Sequence, residues 1–163
     1  MPNDFYGLPL HPLIVHATVV MIPLAALTVL LSALWPRFRA WAGPLPAGIS
    51  LIGLVLVPLS TSTGETLEKH VARSALLEEH TRLADGLLPW MIGLFAFSLV
   101  GYALHRRSIS GHSVARALTA GVAVLAIVAS VGTSVQVARI GHAGAKAAWD
   151  DTNMSPGSPK PTD

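Results

Sequence analysis

The sequence predicts an all-α integral membrane protein: a four-transmembrane-helix bundle with a short amphipathic helix between spans two and three. Three observations predict it. The 163 residues are 52% hydrophobic and only 12% charged, about half the ~25% charge that a water-facing surface carries. Four uncharged stretches, Ala17–Trp35, Ala40–Gly64, Gly86–Leu104 and Ala117–Ala138, each approach or exceed the ~20 residues a helix needs to cross a ~30 Å hydrocarbon layer. One Arg or Asp at mid-span would cost about 2.5–3.5 kcal/mol, and none is present. A closed β-barrel is the other structure that satisfies its backbone in lipid, but the alternation of polar and apolar residues it requires is absent.

The first nine residues carry a single charge, Asp4, and no basic cluster. The apolar run that follows is longer than the ~7–15 residues of a secretory signal core, so it reads as a retained first span. The expected organisation is an extracytoplasmic segment over 1–9, a membrane domain over 10–149 and a disordered tail over 150–163, where Pro, Ser, Lys and Asp replace apolar residues.

His11-Pro12 opens the first span, since proline at the first helical position loses no hydrogen bond, which sets His11 near the N-cap. Pro23 predicts a mid-span kink. Trp35 and Trp41, with Arg37 and Arg39 between them, mark an interface, and Gly43-Pro44 with Pro46 marks the turn into span two. That span has Pro58 near its far end and emerges at Ser60–Thr63. Ser62-x-x-Glu65 reads as a capping box, opening an amphipathic segment from Glu65 to about Arg82. Within it Leu76, His80, Leu83 and Leu87 share one helical face, so His80 is expected to point inward and Glu78 and Glu79 outward. In span four, Ala126, Ser130, Ser134 and Ala138 recur every fourth position, a small-residue ridge that permits close helix approach. One further turn brings His142 onto it.

Charge placement sets the expected topology. The loops after spans one and three hold Arg37, Arg39, Arg106, Arg107 and Arg116 and no acid, whereas all nine acidic residues fall at the opposite end. Weighting the short loops beside the spans puts both termini and the long central loop outside the cytoplasm of a plasma membrane.

That topology gathers histidines. His105 and His112 fall in the cytoplasmic loop, while His11, His16, His70, His80 and His142 fall at the other face, at helix ends that are neighbours in a four-helix bundle. Imidazoles converging from separate helices are raw material for a metal or haem site. With no cysteine in the chain, thiolate zinc and iron–sulfur sites are excluded. His11 and His16 are five residues apart, about 140° around a helix and ~7.5 Å along it, so a regular helix cannot clamp one ion with both. The candidate ligands are His11, His16, His80 and His142, with His16 paired to His80 or His142. Asp85 is a candidate to orient one of them, or a first-turn residue favoured by the helix dipole. His70, His105 and His112 read as interfacial or capping groups.

At these residues the chain resembles a bacterial family of predicted four-helix membrane proteins, domain of unknown function 2231. The resemblance rests on Gly7-Leu8-Pro9-Leu10-His11-Pro12-Leu13-Ile14-Val15-His16, on Thr63-Gly64, on His80, and on Gly141-His142-Ala143-Gly144-Ala145 followed by Trp149. Ala17-Thr18 departs from the aromatic or proline residues common in the family at that point. The family has no settled activity. Its domain also occurs beside Rieske-type and other redox modules, which implies electron transfer. No Rieske or haem c motif stands here, so a redox partner would be a separate chain.

Two functions follow as expectations. The first is a small membrane redox or accessory subunit binding haem b or a transition-metal ion through the histidine cluster at the non-cytoplasmic face. The second is a non-catalytic scaffold or assembly subunit whose small-residue ridge packs on a partner helix. Besides the lipid bilayer, the expected partners are a redox protein, subunits of a membrane complex or a second copy of the chain. No catalytic residue set is legible, and a stand-alone enzyme is not expected. A transporter would place an ionisable group at mid-membrane depth, and the windows hold none. The short basic loops are explained by topology and give no support for nucleic-acid binding.

Overall fold

A computed structural model describes residues 4–5, 8–68 and 74–149. The expected disordered tail and His70 lie outside the described residues. A two-residue antiparallel pair, β1 (Asp4–Phe5) with β2 (Leu8–Pro9), precedes the helices, with Asp4 opposite Pro9 and Phe5 opposite Leu8. The helices are α1 (Leu10–Leu34), α2 (Pro36–Ala42), α3 (Leu45–Glu68), α4 (Ala75–Asp85), α5 (Leu87–Ile109) and α6 (Arg116–Trp149). Four spans long and apolar enough to cross a membrane are present, as expected: α1, α3, the α4–α5 pair and α6.

Each span buries one stripe. On α1 it is Ile22, Ala25, Ala26 and Val29; on α5 it is Leu87, Met91 and Leu94; on α6 it is Ala126, Ala129, Ser130 and Thr133. These are helical spacings of three and four. The opposite faces are apolar and remain exposed, as at Val124, Val128, Val131 and Val135 of α6. The middle of the α6 stripe is small, at Ala126, Ala129 and Ser130, whereas its exposed face is lined by valines. In lipid, helices associate through close packing rather than through removal of apolar surface from water. Gly132 shows how close: a Cβ there would overlap the Trp90 ring of α5. α1 packs on α3 and α6, and α5 packs on α3 and α6.

Two local readings need correction. Ser62 does not cap a new helix. It lies inside α3, and its hydroxyl donates to the Leu59 carbonyl at 3.1 Å. Thr61, Thr63 and Thr66 likewise return their hydroxyls to carbonyls three or four residues back. The polar run therefore keeps its hydrogen bonds within the helix and prolongs it to Glu68. The cap stands at Ser74, in extended conformation, whose Oγ accepts from the Leu77 N–H at 3.2 Å and starts α4. α4 then runs into α5 through Gly86, itself helical at φ −68° and ψ −8°, so the amphipathic segment prolongs the third span toward the terminal face. Its apolar side turns inward, with Leu83 and Leu87 buried and His80 half-buried, while Glu78 and Glu79 are exposed.

The second correction is α2. Pro36 at its first position forces Trp35 into an extended conformation and breaks the helix after Leu34. The interface sequence forms a seven-residue helix of its own before the expected turn at Gly43-Pro44.

Polar contacts between helices are few. Ser50 of α3 meets Ser98 of α5 at 3.0 Å, toward the arginine-bearing end. Gln136 of α6 donates through Nε2 to the Leu83 carbonyl at 2.6 Å, fixing the α4–α5 junction. The other two involve histidines.

Candidate functional site

The terminal ends of α1, α3, α4 and α6 form one face of the bundle. His11, in the first turn of α1, is half-buried, with Nδ1 3.2 Å from Thr63 Oγ1 of α3. The Thr63 hydroxyl hydrogen already has the Leu59 carbonyl at 2.9 Å and the Ser60 carbonyl at 3.0 Å as acceptors. Its oxygen is therefore the receiver, and His11 donates from Nδ1–H. A neutral imidazole holding its proton on Nδ1 carries a lone pair on Nε2. The ring rests on Gly64, where a Cβ would lie 3.0 Å from His11 Cε1.

His80 repeats the arrangement between α4 and α6. Its Nδ1 lies 3.2 Å from the Ile140 carbonyl. A carbonyl can only accept, so Nδ1 is again the donor and Nε2 again holds the lone pair. The ring rests on Gly144, with Cε1 3.0 Å and Nδ1 3.1 Å from the place of a Cβ. His11 and His80 are electrostatic neighbours, near enough for charge on one to act on the other.

The remaining candidates lie differently. His16 is exposed and folds back on its own helix, Nδ1 donating to the Pro12 carbonyl at 2.6 Å. His142 and Asp85 are exposed. The structure thus brings together His11 and His80, and leaves His16 and His142 on the outside of the same end. Among the described residues no three His, Asp or Glu side chains stand close enough to share one metal ion.

The supports under the rings were not anticipated as such. Thr63, Gly64 and Gly144 stand in the sequence pieces that carry the family resemblance. Only the fold reveals that Thr63-Gly64 serves His11 and that Gly144 serves His80. A family model for a predicted membrane protein, DUF2231, matches residues 7–154. The chain belongs to the DUF2231 family. No curated protein and no solved structure matches this DUF2231 chain. In this DUF2231 protein the matched range takes in all four spans and both histidine–glycine contacts.

Proposed function

We propose that this DUF2231 protein is a small redox or electron-transfer accessory subunit of the plasma membrane, holding a haem b at its non-cytoplasmic face through His11 and His80. His16 and His142 stand at the rim of that site. The observation that carries the reading is the matched pair of tethered imidazoles. Each has Nδ1 within hydrogen-bond distance of an oxygen from another helix, Thr63 Oγ1 for His11 and the Ile140 carbonyl for His80, an arrangement in which Nε2 would be the ligating nitrogen. A metal-bound histidine is oriented in the same way, its second nitrogen donating to a carbonyl, hydroxyl or carboxylate.

The donor set favours haem over a lone transition-metal ion. A bis-histidine haem takes two imidazoles, whereas a protein-held ion such as zinc draws three or four side-chain ligands, and the described residues bring two together. When bound, the haem would supply one-electron chemistry between ferric and ferrous iron. The chain's part is to fix both rings and to set the polarity around them. Electrons would pass to a separate redox protein.

The scaffold reading has less support, because half of the small-residue ridge is used inside the bundle. Ala126 is 5% exposed and Ser130 1% exposed, which leaves only Ser134 and Ala138 for a partner helix.

An oxidised and a dithionite-reduced absorption spectrum of the detergent-purified protein test the proposal. A Soret band that sharpens and shifts on reduction is expected. His11→Ala and His80→Ala should each abolish the six-coordinate spectrum, while His16→Ala and His142→Ala keep it. A protein with neither a Soret band nor stoichiometric metal after reconstitution overturns the reading.

A further inference from the structure

At the opposite end of the bundle lies a cavity of about 50 Å³, room for about four water-sized groups at the ~10–15 Å³ each requires. Its inner wall is apolar, with Val29 of α1, Phe97 of α5 and Val122 of α6. Its outer rim carries Arg39 of α2, Ser32 of α1 and Tyr102 of α5. One of these polar groups lacks a partner among the described residues. Ser32 Oγ is buried and makes no hydrogen bond. Arg39 is half-buried, whereas Arg37, Arg106, Arg107 and Arg116 at the same end are all exposed.

Among the described residues Arg39 has no carboxylate at its end of the bundle: there is no Asp or Glu between Asp4 and Glu65, nor between Asp85 and Asp150. Arg39 lines the cavity, and the planar fork of a guanidinium suits an oxyanion. Depth says where that anion comes from. Arg39 sits between Trp35 and Trp41, which are 53% and 76% exposed, the placing of tryptophans at the level of lipid headgroups. The cavity is lined from α1, α2, α3, α5 and α6 near that level.

We propose that this cavity receives the phosphate of one anionic phospholipid, on Arg39 with the Ser32 hydroxyl as a second donor. The rest of the headgroup and the acyl chains would lie outside the cavity, at the membrane surface. A general attraction of a basic loop to an acidic membrane would use the exposed arginines equally; a built site uses Arg39. The site is independent of the histidine pair and of any haem.

Native mass spectrometry of the full-length protein, released from detergent with equal amounts of phosphatidylglycerol and phosphatidylcholine, tests the proposal. One phosphatidylglycerol per chain is expected to be retained, about tenfold over phosphatidylcholine. Arg39→Gln should abolish that preference and Arg37→Gln should keep it. Ser32→Ala, a milder change that does not depend on Arg39→Gln folding, should reduce the preference several-fold. No preference in the wild type, or equal loss in Arg37→Gln and Arg39→Gln, overturns the site. Displacement of the lipid by millimolar inorganic phosphate overturns the lipid as ligand in favour of a soluble oxyanion.

Discussion

At the scale of single residues, the chemistry of the terminal face turns on which nitrogen of each imidazole holds the proton. For His11 that choice is set by Thr63, whose own hydrogen is committed to its helix, together with the Ser60 backbone, to which the ring also hydrogen-bonds. Thr63→Val preserves the shape and removes the acceptor. Interhelical hydrogen bonds in membrane bundles average about 0.6 kcal/mol, roughly a threefold change in an equilibrium at room temperature. The Nδ1–H to Nε2–H ratio of His11 should fall by about that factor, read from imidazole nitrogen shifts, while His80, held by Ile140, stays unchanged. Identical His11 shifts in the variant would show that Thr63 does not set the tautomer. The histidines and their common end of the bundle were legible in the sequence, but the partnership of His11 with His80 was not. His80 could be placed inward because Leu83 and Leu87 share its face. His11 and His16 sit on a helix that is apolar all round, so no amphipathic stripe says which turns inward.

At the scale of elements, the spans were legible because charge is excluded from them, and their inward faces were less so. In water, polarity distinguishes the two sides of a helix; on α6 the outer side is the more apolar, with Val124 and Val128 outside against Ala126, Ala129, Ser130 and Thr133 inside. The small-residue ridge was visible, but its use within the bundle rather than against a partner needed the fold. Breaks were misplaced where polar side chains bond their own helix, as Ser62 does. The buried Gln136 was passed over, although it ties α6 to the Leu83 carbonyl where α4 meets α5. Gln136→Leu leaves that carbonyl without its partner, a loss of about 1–3 kcal/mol when a buried group goes unsatisfied. α4 carries His80, so loosening its base loosens the candidate site. Amide hydrogen exchange in α4 should rise by about ten- to hundredfold in Gln136→Leu, with α1 and α3 unaffected. Unchanged exchange in α4 would mean that Leu83 and Leu87 alone anchor it.

At the scale of the whole molecule, the two ends of the bundle differ in kind. One end gathers the described acidic residues and the tethered histidines; the other gathers five arginines, the exposed Trp35 and Trp41, and the cavity. The arginines stand in short segments beside the spans, where they weigh most in orientation, so the histidine end should face out of the cytoplasm. The chain has no cysteine of its own, and a single introduced thiol therefore reports its side without background. Lys146→Cys, on the exposed side of the last turn of α6, should react with a membrane-impermeant maleimide on intact cells. Ser113→Cys, between α5 and α6, should react only after the membrane is opened. Both proposals about function depend on this one measurement in different ways. The reverse pattern would move the haem and its redox partner to the cytoplasmic side. It would leave the lipid site intact but present it to the other leaflet, because Arg39 and Ser32 recognise a headgroup from whichever side they meet it.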